Sequence, residues 1–394
     1  MSNCILIFTK CYLPGYKSGG PIQTIANMVN AIGDQFEFRI VTMDRDSGDT
    51  RPYPSIETGC WNKVGKAFVR YLPPAERNFA TCKKILSELD FKLIYCQSFF
   101  NPRFTILPLL ALYFSKKRNI PVLIAPRGEF GNGALAHKSL KKDIYLFLFK
   151  QLLLKRLHYS FHVSSSNEDA LLANVLGDRT RRLIALNFNA QEHISPQSIA
   201  VSDRKCLRLA FFGRIDVQKN VDYALTVISS VKSPLSFDLY GAIADEKYYK
   251  KCLQVLEQVP DNISLSFKGT LPHPEVLNVL QEYDLFFFPT KNENFGHTIH
   301  EALRSGLPVL CSDQTPWHEL ESRNAGWEVP LDRPDLFTEK IEQFVLMSPE
   351  KRYQMRLAAL QYGIDVSNNK QTYHDNVNMF NMLLGTNDHI ETDK

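Results

Sequence analysis

Paired metal-ligand cysteines and long apolar runs are both missing from this sequence. Its eight cysteines are scattered and include no C-x-x-C pair, which argues against a zinc site or a disulfide framework and favours a reducing compartment. The longest apolar stretches, 105–115 and 144–154, fall short of the roughly 20 residues that a membrane-spanning helix needs. The apolar run at 4–8 is too short for the core of a signal peptide. We therefore expect a cytoplasmic protein without a transmembrane anchor.

The composition is that of an ordinary soluble protein, and the charge is unevenly spread. The chain has 394 residues, of which 44% are hydrophobic and 22% charged. These values exclude a wholly disordered, collagen-like or coiled-coil chain and suggest two domains. The net charge is only +4, but residues 1–200 carry 26 Lys and Arg against 15 Asp and Glu, whereas residues 201–394 carry 20 against 27. The basic first half points to an anionic partner.

Short apolar runs alternate with amphipathic stretches along almost the whole chain. Continuous apolar runs of about five residues are typical of parallel strands covered on both faces. The runs predict strands at 4–8, 37–42, 67–71, 92–96, 121–125, 159–163, 207–212, 235–240, 262–266, 284–289, 308–311 and 326–329. The stretches between them predict helices at 21–33, 77–89, 104–115, 137–157, 166–176, 219–230, 245–258, 273–281, 297–305, 334–346 and about 370–384.

This alternation predicts an α/β protein of two Rossmann-like domains in tandem, each a parallel sheet with helices on both faces. We place an N-terminal domain at 1–190 and a C-terminal domain at 200–365. The polar stretch 188–205 has neither period and is interpreted as the linker. Residues 370–390 are a candidate to pack back on the first domain.

A first candidate site follows the strand at 207–212. Gly213 allows close backbone approach to a ligand, Arg214 offers a planar fork for phosphate oxygens, and Lys219 adds a point charge at the start of the next helix. In doubly wound sheets, ligands bind beyond the carboxyl ends of the strands, where these residues lie. A loop with two solvated cations is the alternative interpretation.

A second candidate site lies between the strand at 284–289 and the helix that begins at His297. Gly296 permits a turn that directs the first amides of this helix, at His297 and Thr298, outward, and such amides form a natural diphosphate site. Glu301, one turn inside the helix, can accept hydrogen bonds from ribose hydroxyls, and Glu293 can reach a hexose hydroxyl. The alternative is a capped helix with two surface glutamates.

Taken together, these motifs resemble family 4 of the glycosyltransferases, retaining enzymes of the GT-B fold in which two Rossmann-like domains face a central cleft. The marks of that family are a Gly-Arg pair with a Lys five residues after the Arg, and a Glu-x7-Glu motif, here Glu293 to Glu301. The loop Pro14–Pro21 matches the family's glycine loop after the first strand. The resemblance covers nearly the whole chain.

The resemblance implies roles for individual residues. Arg214 and Lys219 hold the donor diphosphate, Glu301 binds the ribose, Glu293 lies by the donor sugar, and the backbone around Gly241 and 267–269 lies near the base. The implied catalytic residues are Arg214, Lys219 and Glu293. The implied donor-binding residues are Gly19, Gly20, Gly213, Arg214, Lys219, Gly241, Lys268, Glu293, Phe295, Gly296, His297, Thr298 and Glu301.

One departure from the family concerns the acceptor side. Many members carry a histidine after a first-domain strand, close to the reacting sugar. Here the strand at 121–125 leads instead into Pro126-Arg127-Gly128-Glu129, so Arg127 or Glu129 is the candidate for that place. This segment, with residues 133–136, resembles a bacterial surface-polysaccharide subgroup of the family.

Two motifs resemble metal-binding motifs, but the position of the first and the residue order of the second argue against a metal site. Asp44-Arg45-Asp46 has the Asp-x-Asp spacing by which another transferase fold holds a divalent ion, but it lies far in sequence from the diphosphate site. His297, His300 and Glu301 lack the His-Glu-x-x-His order of a zinc helix. We therefore expect no metal and no cofactor beyond the nucleotide sugar.

The basic and apolar segment 137–157, with 116–118, is a candidate for contact with an anionic membrane; an amphipathic helix packed on the first sheet is the alternative. Nothing indicates nucleic acid binding. The expected activity is a hexosyltransferase reaction, from a nucleotide-diphosphate sugar to a glycan or lipid-linked acceptor, in O-antigen or capsule biosynthesis. A nucleotide-sugar epimerase of the same architecture and a non-catalytic nucleotide-sugar-binding protein remain alternatives.

Overall fold

A computed structural model describes residues 3–130, 140–153, 156–190, 192–201, 204, 206–256, 259–293 and 295–385. The chain forms two compact units. The first comprises Met1–Asn189 and the segment that begins at Asn369, and the second comprises Ala190–Asn368. Each unit is an α/β domain with its own sheet.

The first unit contains an eight-stranded sheet. Its strands are β1 Cys4–Phe8, β2 Glu37–Met43, β3 Trp61–Val64, β4 Ala67–Leu72, β5 Leu93–Cys96, β6 Val122–Ile124, β7 Tyr159–Val163 and β8 Arg182–Ile184, in the order β3-β4-β2-β1-β5-β6-β7-β8. The six strands predicted in this half are confirmed. The expectation of a purely parallel sheet is wrong at one edge, where β3 pairs with β4 antiparallel. Neither β3 nor β8 was predicted, because both are short edge strands without a continuous apolar run.

The second unit contains a six-stranded sheet in which all neighbouring strands are parallel. Its strands are β9 Leu207–Phe212, β10 Leu235–Tyr240, β11 Ile263–Gly269, β12 Leu285–Phe288, β13 Val309–Ser312 and β14 Gly326–Val329, in the order β11-β10-β9-β12-β13-β14. All six were predicted. The order reverses between β9 and β12, which makes the gap beyond their carboxyl ends the topological switch point of the sheet.

Helices lie between the strands throughout. They are α1 Gly20–Ile32, α2 Phe79–Glu88, α3 Leu107–Tyr113, α4 Leu140–Leu148, α5 Ser166–Leu176, α6 Val221–Ser229, α7 Glu246–Leu256, α8 His273–Leu280, α9 His297–Arg304, α10 Pro334–Leu346, α11 Pro349–Ser367 and α12 Lys370–Leu384. Single helical turns lie at Pro74–Glu76, Pro102–Ile106, Phe149–Leu153 and Pro196–Ser198. Within the described residues, no helix has both the length and the apolar character needed to cross a bilayer.

Strand β1 shows why the parallel strands have continuous apolar sequences. Leu6 and Phe8 belong to one buried cluster of the first unit, whereas Ile5 and Ile7 belong to another. Since successive side chains of a strand point to opposite faces, a strand covered on both faces needs an apolar residue at every position.

The last helix, α12, covers part of the first sheet. Its N-terminus is capped by Asn369, whose side chain accepts a hydrogen bond from the backbone N–H of Gln371 at 2.9 Å. Further along, the Phe380 ring lies 5.4 Å from the ring of Phe36 and 5.8 Å from that of Tyr95. This aromatic contact holds α12 against the first unit.

Two parts of the second unit differ from the sequence prediction. Part of the segment interpreted as a linker belongs to this unit, which begins at Ala190, and Ile194 and Ile199 are buried beside Leu360. Helix α11 was not predicted, because its buried face includes Arg352 and Arg356 as well as apolar residues. Charged residues at buried positions weaken the apolar period from which helices are predicted.

Candidate functional site

The candidate site of the second unit lies at the switch point of its sheet. The loop that follows β9 contains Gly213, Arg214 and Lys219, and the loop that follows β12 leads through Glu293 to α9. Since β9 and β12 are neighbours in the sheet, these two loops begin side by side. The two candidate sites predicted from the sequence therefore lie together at one edge of the sheet.

Hydrogen bonds join the two loops directly. The carbonyl oxygen of Gln218 accepts from the backbone N–H of Lys291 at 2.9 Å and from Thr290 Oγ1 at 3.1 Å. The side-chain amide of Asn220 donates to the carbonyl oxygen of Pro289 at 3.0 Å. Residues about 70 positions apart are held in register by these contacts, which fixes the position of Lys219 relative to Glu293.

Lys219 and Glu293 form an ion pair. Their side chains are only 16% and 14% exposed, so water screens the pair less than it screens a surface salt bridge. Lys219 Nζ also lies 5.4 Å from the centre of the Phe288 ring, and the backbone N–H of Glu293 donates to the carbonyl oxygen of Gln314 at 3.0 Å. The ammonium of Lys219 has three N–H donors, of which one is directed to the carboxylate of Glu293.

Arg214 is the more accessible cation of the site. Its side chain is 55% exposed, and Nη2 lies 3.1 Å from Asp216 Oδ2. The other carboxylate oxygen of Asp216 accepts from the backbone N–H groups of Gln218 and Lys219 at 3.0 Å each. Asp216 thus shapes the turn that carries Lys219 and also orients the guanidinium.

Three glycines line up at the ends of β9, β10 and β11. The N–H of Gly213 donates to the carbonyl oxygen of Tyr240 at 3.0 Å, and the N–H of Gly241 donates to that of Gly269 at 2.8 Å. A Cβ atom on Gly241 would overlap the carbonyl oxygen of Gly213. A glycine is therefore required at 241 by the close approach of two backbone segments.

The start of α9 depends on a glycine and a tryptophan. Gly296 has a left-handed conformation, with φ at 78°, and its carbonyl oxygen accepts from the backbone N–H of His300 at 3.1 Å. Trp317 Nε1 donates to the carbonyl oxygen of Phe295 at 2.6 Å, and the two rings lie 5.7 Å apart. These contacts hold the residues that lead into the first turn of α9, where His297 and Thr298 lie. Asn294 lies outside the described residues.

Glu301 lies within α9 and is buried. His273 Nε2, at the first position of α8, lies 3.2 Å from Glu301 Oε1. This contact restrains the carboxylate and leaves its other oxygen as an acceptor for a ligand hydroxyl. The local sequence around Glu301 gives no indication of His273, since the two residues come from different helices.

The histidines of α9 have separate surroundings. The His297 ring lies 4.8 Å from the Phe295 ring. The His300 ring stacks on Trp317 at 5.8 Å, and its Nε2 lies 3.1 Å from the carbonyl oxygen of Gly363. Burial lowers the pKa of His300 to about 3, so its imidazole is neutral and structural. Across the described residues, no group of three or more His, Cys, Asp or Glu side chains is arranged to hold a metal ion.

Lys268 pairs with a carboxylate of the second unit. Its Nζ lies 3.6 Å from Asp238 Oδ1, and the other Asp238 oxygen accepts from the Tyr283 hydroxyl at 2.7 Å. Lys268 thus has a carboxylate of β10 as its ion-pair partner.

In the first unit, Gly19 and Gly20 stand at the start of α1. Gly19 has φ at 58° and directly precedes the helix. A Cβ atom at Gly19 would meet nothing within 4 Å, so backbone conformation rather than space favours glycine there.

Arg127 is directed into its own unit. Its Nε donates to Gln97 Oε1 at 3.0 Å, and its Nη2 donates to the same oxygen at 2.9 Å and to the Tyr95 hydroxyl at 2.9 Å. Nη1 donates to Asn187 Oδ1. The guanidinium therefore braces the ends of several strands of the first sheet.

Glu129 is held in the same manner. Its Oε1 accepts from Ser98 Oγ at 2.6 Å, and its Oε2 accepts from the backbone N–H groups of Phe99 and Phe100 at 2.6 and 3.1 Å. The carboxylate thus orders the segment that follows β5. Residues 133–136, which belong to the same sequence resemblance, lie outside the described residues.

Several residues that shape the site were missed in the sequence. Asp216 and Asn220 flank Lys219 and are typical turn formers, so a search for turn residues next to the cations would have found them. Trp317 and His273 carry no local signal. Their roles depend on contacts with Phe295 and Glu301, which belong to other elements.

Comparison with known proteins is consistent with this geometry. Residues 197–361 match the family model described as glycosyl transferases group 1. A GtfA subunit of a UDP-N-acetylglucosamine–peptide N-acetylglucosaminyltransferase from Streptococcus agalactiae is 24% identical over 138 residues, which are 34% of this chain and 26% of that protein. The chain therefore matches about a quarter of the length of this curated relative.

Two solved structures resemble the chain over almost its whole length. Sucrose-phosphate synthase from Thermosynechococcus elongatus has a TM-score of 0.70 at 14% identity and covers 98% of this chain and 100% of its own. Anabaena HepE, solved with UDP and glucose, has a TM-score of 0.68 at 14% identity, with coverage of 97% and 99%. The predicted fold of two parallel-sheet α/β domains is confirmed, and the matched segment, residues 197–361, is similar to the domain described as glycosyl transferases group 1.

Proposed function

We propose that this chain is a retaining glycosyltransferase of family 4. It transfers a sugar from a nucleotide-diphosphate donor to a hydroxyl group of a glycan or lipid-linked acceptor. The bond between the anomeric carbon and the diphosphate oxygen breaks, and a bond from that carbon to the acceptor oxygen forms. The nucleoside diphosphate leaves with the electron pair of the broken bond and takes up the proton that the acceptor hydroxyl releases. The class of the 197–361 domain supports the group-transfer chemistry.

One observation carries the proposal: Lys219 and Glu293, 74 positions apart, form an ion pair at the switch point of the second sheet. The start of α9 follows Glu293 in the same loop. A cation that can bind phosphate therefore lies next to a carboxylate that can bind sugar hydroxyls. Phosphate and sugar are also adjacent to each other in a nucleotide sugar.

The charges suit a departing diphosphate. Negative charge grows on the leaving group as the sugar bond stretches, and fixed positive groups lower the energy of that state. Arg214 and Lys219 supply formal charge, and the first turn of α9 adds the helix dipole. These cations can supply the stabilisation that a divalent ion supplies in other transferases, so we propose that the reaction needs no metal.

The remaining donor contacts follow from the same arrangement. Glu301 has one oxygen beside His273 and one available to ribose hydroxyls. The backbone at Gly213 and Gly241 permits close approach of the base and phosphates, and Gly19 and Gly20 are further donor-binding residues in this proposal. In this proposal, Arg127 and Glu129 act on the acceptor side by ordering the ends of β5 and β6.

We further propose that the protein works in surface-polysaccharide synthesis, such as that of O-antigen or capsule, at the cytoplasmic face of an anionic membrane. The first unit exposes Phe114 and Phe147, at 69% and 63%, and residues 1–200 have a charge balance of +11. Apolar side chains with nearby cations suit such a surface. Part of the basic segment, 137–139 and 154–155, lies outside the described residues.

A donor screen tests the proposed reaction. UDP-, GDP-, ADP- and dTDP-sugars are added singly, and the melting temperature is measured, because a bound donor stabilises the folded state. We expect one base to raise it, and radiolabelled sugar from that donor to appear in a lipid-linked glycan acceptor with its anomeric configuration retained. Transfer in the presence of EDTA is expected to be unchanged. An epimerase would convert the donor alone, and binding without turnover would indicate a non-catalytic protein.

Co-sedimentation tests the membrane contact separately. We expect binding to vesicles that contain phosphatidylglycerol and none to pure phosphatidylcholine vesicles. Equal recovery in both supernatants would contradict the membrane part of the proposal and leave the reaction unaffected.

A further inference from the structure

The Asp-Arg-Asp segment at 44–46 has a role inside the first unit. Asp44 is buried, and its Oδ1 accepts from Arg45 Nε and Arg77 Nη2, both at 2.8 Å. Its Oδ2 accepts from Arg45 Nη2 at 3.0 Å. Both oxygens are therefore engaged by guanidinium groups, which a divalent cation would have to displace.

Asp46 is also buried, and it binds backbone rather than cations. Its Oδ2 accepts from the backbone N–H groups of Tyr16 and Lys17 at 2.7 and 2.9 Å. Its Oδ1 accepts from the N–H of Ser47 at 2.8 Å. One carboxylate thus satisfies two consecutive amides of the loop between β1 and α1, about 30 positions earlier in the chain.

Backbone hydrogen bonds connect Tyr16, which donates to Asp46, with the start of α1. The carbonyl oxygen of Tyr16 accepts from the N–H of Gly19 at 3.0 Å, and that of Gly19 accepts from the N–H of Ile22 at 3.0 Å. On the other side, Gly15 packs so closely on Asp46 and Tyr53 that a Cβ atom would overlap the Tyr53 hydroxyl. The carboxylate of Asp46 is therefore linked, through one turn, to Gly19 and the first residues of the helix.

We propose that Asp46 is a positioning residue that holds the glycine loop in the conformation that receives the diphosphate of the donor. Asp44, fixed by Arg45 and Arg77, anchors the segment from which Asp46 projects. The inference rests on the proposed function, because Gly19 and Gly20 are donor-binding residues only in that proposal. In this proposal, the Asp-x-Asp motif at 44–46 orders backbone amides instead of binding a metal ion.

The test compares Asp46→Asn with Asp49→Asn. Both substitutions remove one negative charge from the segment that follows β2. The carboxylate of Asp49, however, contacts the side chain of Lys17, at 2.5 Å, rather than a backbone amide. Hydrogen exchange of the Tyr16 and Lys17 amides is measured first, because it reports on the loop without any ligand. We expect exchange at both amides to be at least tenfold faster in Asp46→Asn and within twofold of the wild type in Asp49→Asn.

Binding is then measured by calorimetry with UDP, and with GDP, ADP and dTDP if UDP does not bind. We expect the dissociation constant of the nucleotide that binds the wild type to rise at least tenfold in Asp46→Asn and less than twofold in Asp49→Asn. The affinity for the matching nucleoside monophosphate should change much less. A role in folding alone would lower the melting temperature and leave both affinities of the folded fraction unchanged.

The possible outcomes distinguish failure of the proposed function from failure of the inference about Asp46. If no nucleoside diphosphate binds the wild type, the proposed function is wrong and the inference is overturned with it. If the wild type binds but the affinity or the amide exchange of Asp46→Asn is unchanged, only the inference is overturned. A wild-type affinity that EDTA abolishes and Mn²⁺ restores, with loss of the metal effect in Asp46→Asn, would overturn it in favour of a metal site. Should Asp46→Asn fail to fold, Asp46→Ser, which keeps one oxygen, provides the same comparison.

Discussion

Trp317 donates its indole N–H to the carbonyl oxygen of Phe295 at 2.6 Å, and this single bond fixes the residue that directly precedes the glycine at the start of α9. A Cβ atom on Gly296 would lie 3.1 Å from the same indole nitrogen. The tryptophan thus holds the carbonyl of one residue and limits the size of the next. The orientation of the first amides of α9 depends on it.

Replacing Trp317 with Phe should weaken donor binding without unfolding the second unit. The substitution keeps an aromatic ring against Phe295 but removes the N–H donor, and a buried hydrogen bond of this kind contributes about 1 kcal/mol. We expect the dissociation constant of the bound nucleoside diphosphate to rise about fivefold. Trp327→Phe is the matched control, because Trp327 is buried in the same unit beside Phe344. Equal affinities of the two variants would show that the indole bond does not position the site.

Removal of the Lys219 ammonium should abolish turnover and leave the fold intact. Loss of one preorganised charge at a developing anion costs roughly 3 kcal/mol or more of transition-state stabilisation, so we expect Lys219→Ala to lower kcat/KM at least hundredfold. The control is Lys251→Ala, which also breaks a lysine–carboxylate pair of this unit, at 2.6 Å from Asp222. Wild-type turnover by Lys219→Ala, with a normal circular dichroism spectrum, would contradict the assigned role.

A methyl group at position 241 should be destabilising, because the added Cβ atom would overlap the backbone oxygen of Gly213. Backbone atoms of two neighbouring strand ends cannot move apart cheaply, and we expect Gly241→Ala to lose about 3 kcal/mol of unfolding free energy. Gly269→Ala is the comparison, since its Cβ atom would meet nothing within 4 Å although φ is 76°. That variant should lose only about 1 kcal/mol from strain. Urea unfolding of both variants measures the difference.

The first unit should lose stability as the pH falls below neutrality, because of His162. Burial, with a smaller contribution from Arg127, lowers the pKa of His162 from 6.5 to about 3. Its Nε2 donates to the carbonyl oxygen of Ala185 at 2.8 Å, and its Nδ1 accepts from the Tyr95 hydroxyl. The unfolded chain therefore binds a proton between pH 6.5 and 3 that the folded chain does not, and stability falls with pH through this range.

For this one histidine, the expected loss between pH 7 and pH 5 is about 2 kcal/mol. Urea unfolding at the two pH values checks it in the wild type and in His162→Gln, which keeps one donor and one acceptor and does not titrate. The variant should lose about 2 kcal/mol less than the wild type on acidification. Parallel losses in the two proteins would mean that His162 is not buried as a neutral group.

The strands and most helices of both units could be predicted from the sequence because their signals are local. A parallel strand such as β12 needs apolar residues on both faces, so Leu285–Phe288 is apolar throughout. Helix α11 escaped prediction because Arg356 occupies a buried position, where it donates to the carbonyl oxygens of Tyr283 and Gln281. Such a partner becomes visible only when distant segments are brought together.

The same division holds for the candidate site. The sequence by itself determined the two loops, their cations and glutamates, and the glycines at the strand ends, since each of these is a short pattern next to a strand. Only the tertiary structure decided that Lys219 pairs with Glu293, that Trp317 holds Phe295, and that Asp46 binds amides of the loop before α1. A side chain's partner is set by which loops the sheet order places side by side, and that order is a property of the whole chain.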